Sequence, residues 1–266
     1  MALPVTFLSD YGLADEFVGV VHAVIARLCP QARVVDLTHG VPRQDVLAGA
    51  LALERALPFA PPGVHLAVVD PEVGARRRAV ALRTAEEDRL LVGPDNGLLM
   101  AAAACFGGVA EAVEVSRSPW RLEPVSATFH GRDLFAPVAA RLASGEPLAH
   151  AGAPLDPDEL VVLERPTATV APDGVRAHVL GVDGYGNVLL DLRHEQAAGV
   201  AWLRIGRPVR VGEHDAVYAR TFADAAPGDL LVYEDASRSL AVAVNSGDAA
   251  GRLGVRPGDE LRLAPA

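Results

Sequence analysis

The sequence predicts an α/β domain, its mostly parallel sheet flanked by helices, followed by a smaller all-β, barrel-like domain. Three observations carry that prediction. Through residues 1–155, apolar runs of strand length alternate with segments of helical period. Residues 156–173 lose the pattern and read as a linker. Over 174–266, short β-type runs recur between Gly-Asp and Pro-Gly turns, and helices are nearly absent.

Taken in order, residues 4–9 form a short apolar strand that runs into the polar loop Asp10-Tyr11-Gly12. Phe17, Val20, Val21, Val24, Ile25 and Leu28 then repeat at helical spacing, which predicts a helix over 14–28. Residues 32–37 are a second strand, and 45–57 an Ala- and Leu-rich helix closed by Pro58. Strands follow at 64–69, 80–83 and 90–92. A helix over 96–106 ends at Gly107-Gly108, and 132–143 is the last helix of this part. Strands separated by helices imply a largely parallel sheet covered on both faces. Pro154, Pro157, Pro166 and Pro172 then punctuate the connector. Runs at 175–182, 188–192, 209–211, 230–233, 240–244 and 260–263 predict a small antiparallel barrel or sandwich.

Composition narrows the function. The 266 residues carry a net charge of −10, which argues against a nucleic-acid partner and suits a neutral or cationic small ligand. All 24 basic side chains are arginine, with no lysine. That excludes Schiff-base chemistry, a pyridoxal-phosphate anchor and a Walker-type phosphate loop. No apolar stretch approaches the ~20 residues of a membrane span, so no membrane partner is expected. Residues 1–8 enter a strand directly, without the pattern of a signal peptide, and the expected location is cytoplasmic. Cys29 and Cys105, each in a helix-like apolar stretch, read as buried free thiols. With no CxxC or HExxH pattern, neither a metal nor a structural zinc site is expected.

Polar residues gather where strands of the first domain end: Asp10, Asp36, His39 and Asp70. In open α/β sheets ligands bind beyond the carboxyl ends of strands, so these four are expected to share a crevice. Asp70 leads into a loop containing Arg76, Arg77 and Arg78. That loop is either a solvated basic turn or one whose arginine folds back onto Asp70. His130 precedes a helix in Thr128-Phe129-His130-Gly131-Arg132-Asp133, where Gly131 lets the backbone approach a ligand closely. Asn96, in a turn before a helix, is a cap or a ligand contact. Asp183-Gly184-Tyr185-Gly186-Asn187 and Asn245-Ser246-Gly247-Asp248 read as turns between strands.

In their order along the chain, Ser9-Asp10-Tyr11-Gly12, Asp70-Pro71 with Arg77, Pro94-Asp95-Asn96-Gly97, the His130 segment and the Asp183 segment resemble the S-adenosylmethionine hydroxide adenosyltransferases. These are hydrolytic relatives of the fluorinases and chlorinases that make 5′-halo-5′-deoxyadenosine. The resemblance spans nearly the whole chain. It implies a catalytic triad on Asp70, Arg77 and His130, a ribose-binding aspartate on Asp10, and further substrate contact around Asn96. It also implies that Asp183 meets the methionine amino group and Asn187 reads adenine, with contributions around Ser237 and from backbone near Ser246. S-adenosyl-L-methionine would be the substrate, with no separate cofactor. The assembly implied is a homotrimer with sites between the first domain of one subunit and the second domain of its neighbour. Ala236 and Arg238 stand where the family usually has Ser and Gly, and Glu72 where it usually has Gly. The extra loop of the fluorinases is missing between Arg77 and Gly93, which favours water over fluoride.

The implied reaction needs no acid and no metal, because a sulfonium is already a good leaving group. It needs an aligned, desolvated nucleophile. Arg77 would favour ionised water, His130 would take the proton, and Asp70 would hold both. Rival readings are a S-adenosylmethionine-dependent halogenase, a metal-dependent phosphohydrolase using the strand-end Asp and His residues, and a non-catalytic adenosine sensor.

Overall fold

A computed structural model describes residues 1–266, and the chain divides into two compact units, Met1–Leu163 and Glu164–Ala266. Each is considered by itself.

The first unit is built on a seven-stranded sheet of β1 (Val5–Ser9), β2 (Val34–Thr38), β3 (Val64–Val68), β4 (Ala79–Thr84), β5 (Leu90–Pro94), β6 (Val109–Glu114) and β7 (Ala153–Leu155), in the order β2-β1-β3-β5-β4-β6-β7. The strands β2, β1, β3 and β5 run parallel, and their carboxyl ends share one edge. Across β5-β4-β6-β7 the pairing turns antiparallel. β1 and β3 are buried at every position, as expected of mostly apolar strands covered on both faces, and their polar Thr6, Ser9 and His65 are buried with them.

Helices α1 (Phe17–Leu28) and α4 (Ala136–Ala143) cover one face, where Val21, Ile25, Phe7 and Phe135 pack in one core. Helices α2 (Val46–Ala56) and α3 (Met100–Ala104) cover the other, with Leu53, Leu82 and Leu98. Asp45 caps α2 by accepting from the Ala48 amide at 2.9 Å. α1 starts three residues later than its periodicity suggests, because Gly12 N donates to the His39 carbonyl at 2.8 Å and draws the chain toward β2 first.

The second unit is a closed barrel. β9 (Gly174–Val182), β10 (Val188–Arg193), β11 (Pro208–Val211), β12 (His214–Tyr218), β13 (Leu230–Glu234), β14 (Ser239–Val244) and β15 (Glu260–Pro265) follow the order β10-β14-β13-β12-β11-β15-β9, and the β9–β10 pairing closes the ring. β8 (Thr169–Ala171) adds to β9 from outside the ring. Val175, Leu190, Val209, Val232 and Leu263 fill the interior. Two short helices, α5 (His194–Ala198) and α6 (Ala249–Leu253), lie on connections. Of the two cysteines, Cys29 is buried as expected, whereas Cys105 is exposed because it sits just past the short α3, in the turn toward Gly107.

Candidate active site

Asp10 follows directly on β1. Its Oδ2 accepts from the Gln44 amide at 2.8 Å, a bond that holds Gln44 at a positive φ of 64°. Oδ1 takes no bond within the chain and faces outward as an acceptor.

Asp70 follows β3, and Arg77 folds back onto it from the arginine loop. Nε of Arg77 reaches Oδ1 at 2.9 Å and Oδ2 at 3.0 Å, and Nη2 also bonds Oδ2. Both side chains are nearly sealed, 5% and 4% exposed, so each charge depends on the other. Nη2 makes a second bond, to His130 Nδ1 at 2.9 Å, and Nη1 has no partner within the chain. The guanidinium lies 5.3 Å over the Phe135 ring. Of the other two arginines, Arg78 pairs with buried Asp95 at 2.8 Å and with Glu159, while Arg76 stays in solvent. The loop is therefore not merely a solvated turn.

Arginine can only donate, so Nδ1 of His130 is an acceptor and the neutral ring carries its proton on Nε2. Burial, and then the Arg77 charge, hold the imidazole below its ordinary pKa, outweighing the opposing pull of Asp70 and Asp133. His130 is a neutral base at neutral pH.

The backbone around it is fixed from both sides. His130 leads into a π-helical turn, Gly131–Phe135, that continues as α4. Asp133 is 2% exposed, accepts from Ser126 N at 2.8 Å and binds Arg132 at 2.6 and 2.7 Å, which ties down the loop before His130. Gly74, at φ 79°, packs so tightly that a Cβ would stand 2.4 Å from the Ala127 carbonyl, locking the arginine loop onto the His130 loop. Gly131 does permit a close approach, but to Tyr11: a Cβ there would stand 2.1 Å from the phenol oxygen. Tyr11 has no role in the sequence reading, although its motif does. Burial, with Asp10 and Asp70 beside it, pushes its phenol well above the ordinary range, so it remains a neutral group. Phe17 and Phe129 pack on its ring at 5.9 Å each.

Asn96 uses both halves of its amide within the fold. Nδ2 donates to the Val69 carbonyl at 2.9 Å and Oδ1 accepts from Leu98 N at 3.2 Å, so it pins the end of β3 beside Asp70. In the second unit, Asp183 Oδ1 accepts from the Tyr185 and Asn187 amides at 2.9 and 3.0 Å. Asp183 Oδ2 accepts from Asn187 Nδ2 at 2.8 Å, and the Asn187 backbone carbonyl accepts from Asp183 N at 3.0 Å. Ser237 lies in the turn before β14, its amide bonded to Asp235 Oδ1 at 2.8 Å, and exposed Ser246 holds φ 62° with Oγ 3.2 Å from Asn245 Oδ1. Five of the site residues thus belong to the first unit and four to the second.

His22, Asp36 and His39 form the one cluster whose donor atoms lie close enough for a shared metal. Asp10 and Asp70 are outside it, so the four strand-end residues do not form one metal-binding set.

Family models for the SAM hydroxide adenosyltransferase N-terminal and C-terminal domains match residues 5–152 and 177–262. A (R)-S-adenosyl-L-methionine hydrolase from Salinispora tropica is 54% identical, covering 97% of each chain. A fluorinase from Actinopolyspora mzabensis is more distant, 29% identical over 97% of this chain and 96% of its own. The crystal structure of an uncharacterized conserved protein from Thermotoga maritima superposes with a TM-score of 0.87 at 38% identity, covering 98% of this chain and 99% of its own.

Proposed function

This chain belongs to the SAM hydroxide adenosyltransferase family, and from that premise we propose that it hydrolyses S-adenosyl-L-methionine to adenosine and L-methionine. The observation that carries the mechanism is the sealed Asp70–Arg77–His130 chain, with an unspent guanidinium edge at Nη1 and a neutral imidazole.

Water attacks the ribose C5′. The C5′–O bond forms, the C5′–S bond breaks, and its electron pair neutralises the sulfonium as the methionine thioether. Asp70 holds Arg77 in place, and the Nη1 donors stabilise the developing hydroxide. The proton of the water goes to His130 Nδ1 as that nitrogen's hydrogen bond from Arg77 Nη2 opens, and the Nη1 donors keep hold of the new hydroxide. His130 then passes the proton to solvent, so the reaction releases one proton per turnover. Asp10, with Oδ1 open, takes the ribose hydroxyls, and Asp183 and Asn187 take the amino group and the adenine. Asn96 serves this site by holding Asp70, and Ser237 and Ser246 lie on the segment assigned to the methionine carboxylate. Metal plays no part in these steps.

The halogenase alternative is weaker on two grounds: of the two relatives named above the hydrolase is the nearer, and halide attack has no use for a base. We further propose a homotrimer whose sites join the first unit of one subunit to the second unit of its neighbour. We also propose a cytoplasmic location; no helix is long and apolar enough to cross a membrane.

The deciding experiment incubates pure protein in chelator with each sulfonium epimer of S-adenosylmethionine, since the Salinispora relative's name specifies R. Adenosine, methionine and protons should appear in equal amounts. No turnover refutes the proposal, and 5′-chloro-5′-deoxyadenosine as the main product in molar chloride makes the protein a halogenase.

A further inference from the structure

Asp36 and His39 are two of the strand-end residues named above, whereas His22 lies well before them in the chain and follows no recurrent motif. The fold brings them together. His22 lies on α1, Asp36 within β2, and His39 just after β2. Nε2 of His22 stands 2.8 Å from Asp36 Oδ1, and Nε2 of His39 stands 3.1 Å from the same oxygen. All the candidate donor atoms lie within 4.8 Å of one another.

The decisive atom is His39 Nε2. Its residue is only 5% exposed, yet this nitrogen makes no hydrogen bond, because Asp36 lies off the line that one requires. A buried, unsatisfied ring nitrogen aimed at a histidine and a carboxylate is costly unless something else binds it. The other ring nitrogen is fixed: Nδ1 lies 2.8 Å from Ser9 Oγ. That arrangement of an outer hydroxyl orienting a ring so that Nε2 faces a cluster is how metal-binding histidines are held.

We propose that His22, Asp36 and His39 bind one divalent cation of the zinc class, with Ser9 as the outer hydrogen-bond partner of His39. The chemistry is two neutral imidazoles and a carboxylate, the donor set that zinc and its neighbours prefer. Ligand bonds of about 2.0–2.2 Å at tetrahedral angles place neighbouring ligand atoms about 3.3–3.6 Å apart, so the His–Asp separations of 2.8 and 3.1 Å need open by only about half an ångström to admit the ion. His22 and Asp36 are 35% and 41% exposed, which gives an ion an entry path and leaves water the open coordination positions.

The consequence is mechanical. The cation joins α1 to the end of β2, and two bonds carry that rigidity onward. His39 O holds Gly12 N at 2.8 Å, and Ser9 Oγ, besides meeting His39, accepts from Tyr11 N at 3.3 Å. The loop they hold carries Asp10. The site is a staple for that loop and stands apart from the Asp70–Arg77–His130 chain.

The test uses full-length, tag-free protein stripped with chelator. Zn²⁺ titrated by calorimetry should bind at one equivalent and raise the melting temperature, and Co²⁺ should give a visible d–d spectrum. His22→Ala and Asp36→Asn, at partly exposed positions, should lower Zn²⁺ affinity at least about tenfold and abolish the Co²⁺ bands. Ser9→Ala should cost about 10–100-fold in affinity while leaving all three ligands in place. Wild-type protein that binds neither ion, or His22→Ala and Asp36→Asn variants that bind like wild type, overturns the site. If a variant fails to fold, X-ray absorption of the zinc-loaded wild type decides: a first shell without two imidazoles is equally fatal. None of these readouts depends on turnover of S-adenosylmethionine.

Discussion

Arg77 faces three ways at once, and each direction sets a different property of the site. Toward Asp70 it is half of a sealed ion pair, toward His130 it fixes a tautomer, and toward the open side it keeps two donors free. The pairing with Asp70 was legible in the sequence as one of two readings of the arginine loop. The tautomer was not, since it depends on which ring nitrogen meets Nη2, and residue order carries no such information. Arg238 is similar. It stands where the family usually has glycine and adopts φ 61°, so the backbone there keeps a glycine-like shape that costs a larger residue about 1 kcal/mol. The roles of His130 and Asp10 separate kinetically. His130→Ala should lower kcat by about 10²–10⁴ with KM nearly unchanged. Asp10→Ala should raise KM instead, since a lost charged hydrogen-bond pair costs roughly 1.5–3 kcal/mol. For pH, the active form of His130 is neutral and its pKa is lowered, so activity holds at neutral pH and above. It should fall only as pH drops below the ordinary imidazole value of 6.5, toward the lowered one. A plateau of kcat/KM through neutral pH followed by an acid limb that His130→Ala lacks is the expected result. A limb centred above 6.5 would contradict it.

At the scale of elements, period and apolar runs located the strands that are buried on both faces, because β1, β3 and β5 are mostly apolar sequence. They missed β6 and β7. Glu111 and Glu114 interrupt β6, and β7 is a three-residue edge strand containing Pro154, so neither has a strand signal of its own. The predicted helix over 96–106 shrinks to α3 because the Asn96 side chain takes the Leu98 amide and Gly97 turns at φ 88°. The π-helical turn after His130 was invisible as such, though its neighbour α4 was not. That turn yields a prediction. Gly131→Ala puts a methyl 2.1 Å from the Tyr11 hydroxyl, so the turn must shift and carry His130 with it. A displacement of about 1 Å at a catalytic group can cost on the order of 10²-fold in rate. Adding Tyr11→Phe removes the clashing oxygen and leaves the next ring carbon at 3.2 Å, a tight but tolerable contact. The double variant should recover most of the lost kcat. If Tyr11→Phe rescues nothing, the glycine is needed for another reason.

For the molecule as a whole, two folds were legible because they obey different periods: alternating β and α in the first unit, β with turns in the second. Closure of the barrel by β9 and β10 was less so, since the sequence reading left barrel and sandwich both open. The proposed division of the active site follows from the same arrangement, with His130 in the first unit and Asp183 in the second. Mixing two defective variants tests it. His130→Ala removes the base. Asp183→Asn removes a charge while its remaining carbonyl oxygen can still accept the Tyr185 and Asn187 amides, so the turn survives. Each variant alone should be nearly inactive. In a closed ring of three, every interface is head-to-tail and pairs one subunit's first unit with its neighbour's second. Random exchange at equal concentrations then gives an intact pair at about one interface in four, so activity should rise to about a quarter of wild type. Sites formed within single subunits cannot be restored by mixing, because every chain carries one lesion. Failure to recover activity after proven subunit exchange would therefore rule out the shared site, and a monomer by light scattering would do so without any kinetics.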